Sequence, residues 1–194
     1  MESESPAVTA RRVTIVSSLV VAAVVATGCH HQRPPTDVSR DPSIAVMFRD
    51  TLPATRYLGE GRSYNVQNPT ERQALQAVVA RERSLWNAAK PRDYRFLTRS
   101  ECFCPGPTRW LLFEVRHDQP VRVWDASGRR VETTAGGLSI DALFDNLART
   151  RDPLTQVQVS FDEQWHYPRF LRTSMAYPDS WSIMVLRAFH PLSG

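Results

Sequence analysis

The sequence predicts an antiparallel α+β fold, built from two successive helix-plus-three-strand units with both helices on one face of the sheet. Three observations carry this expectation: two capped amphipathic helix signals, at Asn68 and Ser139; a change to period two after each; and links too short for parallel crossovers.

The first helix starts at "NPTE", Asn68 to Glu71. Asparagine caps, proline takes the first helical position, and a glutamate three residues on is placed to reach back to the cap. It runs to about Lys90, with Leu75, Val78, Val79, Leu85, Trp86 and Ala89 near one face and Glu82 interrupting them, and Pro91 ends it. Period two follows. Tyr94, Phe96 and Thr98 alternate with Arg95 and Leu97; Trp110 to Arg116 reads as a strand; Val121 and Val123 alternate with Arg122 and Trp124 before the turn "DASG". The link "HDQP", His117 to Pro120, makes the second and third strands an antiparallel pair.

Ser139 caps the second helix, with Ile140, Leu143, Phe144 and Leu147 at i, i+3, i+4 and i+7, closing near Asp152-Pro153. Strands are then expected at Val157 to Phe161, Arg169 to Ser174 and Trp181 to Phe189. The globular domain is accordingly placed at residues 68–194. From His30 to Gln67 the chain has four prolines, many polar residues and no sustained period, so residues 29–67 read as a flexible tether, about 35 Å in random-coil reach. Within it "SIAVMF", Ser43 to Phe48, reads as a short element packed on the domain or as a partner-binding segment.

The chain has 194 residues and a formal net charge of +4, which is unchanged if residues 1–28 are removed. Its arginines are spread along the chain and Lys90 is its single lysine, so no clustered basic face argues for nucleic acid. The start of the chain gives an address. Arg11-Arg12 precede the uncharged run Val13 to Ala26, about 21 Å as a helix against roughly 30 Å of hydrocarbon, and small residues lead into Cys29. This order resembles the lipobox of bacterial lipoproteins. The resemblance implies removal of residues 1–28 as a signal peptide and acylation of Cys29 by a diacylglycerol and a further chain such as palmitate, enough for stable anchoring. The expected location is the cell envelope, on the periplasmic face of the outer membrane in a Gram-negative cell, with His30 in place of the aspartate that marks inner-membrane retention. An ordinary cleaved signal and an uncleaved membrane helix are the alternatives.

With Cys29 lipidated, Cys102 and Cys104 remain. Residues two apart on a strand stand about 6.6 Å apart, whereas a disulfide needs β carbons near 3.8 Å, so bonding them requires a bend, for which Pro105-Gly106-Pro107 provides. A structural disulfide, separate thiols, a redox-active pair and a metal site with His117 are all readings of these two residues. His30-His31 lack the further ligands of a closed metal site, and neither metal nor cofactor is expected. Asp162, Glu163 and Asp179 are carboxylates for an enzyme to use, but Asp162 reads better as a turn former. His166, in "QWHYP", is flanked by Trp165 and Tyr167 as if to shape a groove. The chain lacks G-x-S-x-G, H-E-x-x-H and a glycine-rich phosphate loop, and Gly136-Gly137 reads as a link into the second helix.

"SIDALFDNL" and "VQVSFDEQWHYPRFL", with an upstream tryptophan, "PRDYRF" and "CFC", resemble a bacterial family known as domain of unknown function six-one-seven-four, over about Leu85 to Phe189. The resemblance implies export or lipid anchoring for many members and brings neither an activity nor functional residues. The expectation is a lipid-tethered envelope protein that binds an envelope component or serves assembly, reaching the membrane through Cys29. Its alternative is thiol–disulfide exchange, or another envelope enzyme, using Cys102 and Cys104.

Overall fold

A computed structural model describes residues 41–49, 51, 54–102, 108–132, 138–149, 154–177 and 180–193. All belong to one compact unit, Pro34–Gly194. The fold is mixed α+β, with three helices and a seven-stranded antiparallel sheet among the described residues.

The longest helix, α2 (Pro69–Ala89), follows α1 (Pro42–Met47) and begins where its cap signal stands. Asn68 Oδ1 accepts from Thr70 N at 2.9 Å, Pro69 opens the first turn, and the helix stops before Pro91. Glu71 differs from expectation: its carboxylate accepts from Asn65 N at 2.7 Å and so ties the preceding strand to the helix start, not the cap. The buried stripe is Leu75, Val79, Glu82 and Trp86, while Leu85 is exposed. In α3 (Ile140–Ala148) Ser139 Oγ accepts from Ala142 N at 3.1 Å, and Ile140, Leu143, Phe144 and Leu147 are all buried.

The strands are β1 (Arg62–Asn65), β2 (Asp93–Cys102), β3 (Leu111–Arg116), β4 (Gln119–Asp125), β5 (Leu154–Phe161), β6 (Pro168–Met175) and β7 (Trp181–Pro191). They lie in the order β1-β5-β6-β7-β2-β3-β4, so β7 pairs with β2 at the centre. The β3–β4 hairpin turns on His117 and Asp118 alone, with φ of 51° and 62°, the positive values that a two-residue turn matching strand twist needs. Beyond Asp118, Lys90 Nζ donates to Asp118 Oδ1 at 3.0 Å and to Asp141 Oδ1 at 3.1 Å, joining the end of α2 to this turn and to the first turn of α3.

Successive residues of a strand face opposite ways, and the sheet accordingly has two cores. Tyr94, Phe96, Val115, Val157 and Val159 pack with the stripes of α2 and α3. Leu97, Leu112, Phe170 and Val185 pack instead with Ile44 of α1 and Tyr57 of a 3-10 turn, Ala54–Tyr57.

Over its described part, the tether expected at 29–67 is thus folded onto the domain. Its α1, the 3-10 turn and β1 are each six residues or shorter, too brief to print a period in the sequence. Of the two readings of "SIAVMF", packing on the domain is the one observed, with Ile44 only 2 % exposed. β1 also needs Gly61: its φ is +85°, and a Cβ there would stand 2.3 Å from the Val159 carbonyl oxygen.

Both sheet borders are interrupted. β1 is four residues long, and the outer side of β4 is partly occupied by the returning chain, where Val131 N donates to Val123 O at 2.8 Å and Trp124 bridges to Arg130.

Candidate functional site

The site grows from an irregularity in the central pairing. Arg95 stands opposite His190 and Leu97 opposite Arg187, so two residues, Ala188 and Phe189, face Phe96 alone. This is a β-bulge, and Ala188 adopts φ of 51°, unusual for a residue with a side chain. The bulge divides the neighbouring side chains between the two faces. Phe189 joins the aromatic group under α2, with ring centroids 5.1 Å from Trp165, 5.2 Å from Tyr167 and 5.3 Å from Tyr94. Arg187 lies 4.0 Å from the centroid of the Tyr57 ring and donates from Nη2 to Glu60 Oε1 at 2.9 Å.

A cavity of about 570 Å³ opens between this bulge and α1. Ser43, Val46 and Met47 line it from α1, Thr51 and Leu97 from beside and below, and β7 contributes residues 187–190. That volume is in the range of small-molecule sites. A second hollow, about 470 Å³ and more polar, shares Arg187, Ala188 and Phe189 and reaches Asp162, Glu163 and Arg169.

The helix over the first cavity is pinned by charge. Arg95 Nη1 donates to Asp41 Oδ2 and to Ser43 Oγ, both at 2.9 Å, and Arg95 Nε donates to the buried carboxylate of Glu114 at 2.8 Å. The Asp41 carboxyl is lowered to about 2, chiefly by the hydrogen bond from the Ser43 hydroxyl and then by that from Arg95.

His166 sits in the β5–β6 turn at φ of 62°, with Nδ1 3.0 Å from Oε2 of Glu82, the carboxylate that breaks the apolar stripe of α2. The other Glu82 oxygen accepts from Arg81. Glu82 is thus paired on both sides, as a buried carboxylate requires. The turn itself is made by Asp162, whose side chain accepts from Gln164 N at 3.0 Å and Trp165 N at 2.8 Å, the turn-forming role read from the sequence. Trp165 and Tyr167 border the polar hollow; His166 does not line it.

Cys29, His30, His31, Cys104 and Asp179 lie outside the described residues. Cys102 ends β2 opposite Ser182, and it is the one cysteine among the described residues, so no cysteine pair is seen there. His117 is at the far end of β2, beside Asp93, roughly 30 Å away by strand rise, which separates it from any metal site at Cys102. No cluster of three or more metal-ligating side chains occurs among the described residues. Nor is any helix among them long and apolar enough to cross a membrane.

Residues 78–175, half of the chain, match the model of a family of unknown function (DUF6174). The chain belongs to that family. No curated protein matches it. The family span takes in Glu82, Cys102 and His166, whereas Leu97 is the one residue within it that lines the larger cavity. The bulge and α1 therefore lie in the flanks, outside the family signal, and the sequence of "LRAFHP" reads as uninterrupted strand. Glu82 was the usable clue, since an acid in an apolar stripe needs a partner.

Proposed function

We propose that this chain is a lipid-anchored envelope protein, held through an acylated Cys29, whose α+β domain acts as a binding module rather than an enzyme. In this reading the two halves of the sheet, β2–β4 and β5–β7, are the two helix-plus-three-strand units, and the ligand-binding surface lies where they meet. The observation that carries the proposal is the cavity between α1 and the β7 bulge, a formed, largely apolar space with polar groups at its border. The lipobox-like run ending at Cys29 supports the anchor, and the periplasmic face of the outer membrane is the favoured location in a Gram-negative cell.

The anchor is tested by expressing the full chain in such a host with labelled palmitate and partitioning the extract with detergent. Wild type is expected to carry label and enter the detergent phase, and Cys29→Ser to lose the label. An unlabelled wild-type chain that still begins at Met1 sinks the anchor. The binding role is tested by placing a photocrosslinking side chain at the exposed Val46 and irradiating intact envelopes; absence of any adduct that a distant control position lacks overturns it.

A second reading is thiol–disulfide exchange by Cys102 with Cys104, the two cysteines that the sequence leaves once Cys29 is lipidated. It requires a reduction potential near those of exchange catalysts, and a purified chain that fails to reduce insulin with dithiothreitol excludes it.

A further inference from the structure

We propose that the cavity beneath α1 takes an anionic single-chain amphiphile, a carboxylate or similar head on one alkyl chain. The inference rests on the binding-module reading and names the class of its ligand.

Shape and composition supply the first half of the argument. Val46, Met47 and Leu97 give the space an aliphatic wall, and it lies between α1 and the sheet, where an alkyl chain can lay one side against apolar surface. Val46 is 50 % exposed although it is the kind of side chain that gains from cover, which leaves an unfilled apolar contact at the mouth.

Charge supplies the second half. Among the cavity's lining residues the ionisable ones are Arg187 and His190, with no carboxylate. Arg187 is held by the carbonyls of Leu186 and Arg169 and by an ion pair with Glu60, so its guanidinium is oriented at the border and an anionic head would share it with that carboxylate. His190 is exposed on the same strand, three residues on and past the bulge. Ser43 and Thr51 add hydroxyls. An anionic head is matched by this border, a cationic head is opposed by it, and a neutral head gains only the hydroxyls.

The test uses the full chain bearing Cys29→Ser, so that no anchor lipid competes, and calorimetric titration with monomeric dodecanoate, dodecanol and dodecyltrimethylammonium. Val46→Trp fills the mouth of the cavity from an exposed position, and the binding it abolishes is the cavity's own. Dodecanoate is expected to bind at about one per chain in a Val46→Trp-sensitive manner, and His190→Gln to weaken it several-fold. Dodecyltrimethylammonium is expected to bind at least about tenfold more weakly. Arg187→Gln also disturbs Glu60 and Tyr57, so the charge question is decided by comparing the three probes, and His190→Gln reads only the hydrogen bond which that side chain gives the head. Equal cavity binding of all three probes overturns the anionic preference while leaving a binding module. Absence of Val46→Trp-sensitive binding by any probe overturns the inference, and the envelope crosslinking at Val46 then judges the binding-module reading by itself.

Discussion

His166 holds a backbone conformation that costs a side-chain-bearing residue about 1 kcal/mol or more relative to glycine, and its ring is spent on Glu82. Relief of strain and loss of a partner therefore oppose each other in His166→Gly. The buried carboxylate decides, and the variant is expected to lose about 1–2 kcal/mol in urea unfolding. Adding Glu82→Leu removes the acid left with Arg81 alone and is expected to restore most of that, a coupling of about 1–3 kcal/mol; additivity within about 0.5 kcal/mol refutes it. Half of this pair was legible, because an acid inside an apolar stripe announces a buried charge. Its partner 84 residues away was not, since no local period links a helix to a distant hairpin turn. Lys90 teaches the same lesson. A lone lysine reads as composition, yet it joins α2 to Asp118 and Asp141; burial works against its charge, and the two aspartates outweigh that and raise its pKa.

Among elements, α1 is the one that covers the cavity, and it is short enough to depend on docking rather than on its own helicity. Ile44→Ala removes its buried anchor and is expected to cost about 2–4 kcal/mol in chemical denaturation. The Asp41 carboxyl has its folded pKa depressed to about 2 from 3.8, so the stability it contributes is fully present above the unfolded value and is lost as pH falls through about 2. Wild type is thus expected to be more stable than Asp41→Asn at pH 5, with the gap closing between about pH 4 and pH 2. A gap independent of pH over that window shows that the carboxylate charge does not hold α1 down. The long elements were readable because their caps and periods are local: Asn68, Ser139 and the alternation of β2 and β5 each act within a few residues. The bulge at Ala188 was not, because it is imposed by pairing between β7 and β2.

For the whole molecule, the covering of both sheet faces sets where the domain starts. The sequence places that start at Asn68, but residues 41–67 contain the cover of the second core, the edge strand β1 and the Glu60 that holds Arg187. A chain beginning at Asn68 leaves Leu97, Phe170 and Val185 without Ile44 and Tyr57 above them. It is expected to aggregate or to show no cooperative melt, whereas one beginning at Pro34 gives a monomeric, cooperatively unfolding species by gel filtration and circular dichroism. Folding of the shorter chain with equal stability shows that α1 and β1 are dispensable.

The sheet borders carry one more consequence. Strands with long, bare rims recruit one another, and chains gathered at high density on a common surface meet rim to rim far more often than in dilute solution. Here one rim is four residues long and the other is partly taken up by the chain doubling back at Arg130, so neighbours find little to zip onto. Of the described edges, neither therefore offers a long bare strand for a second copy to pair with.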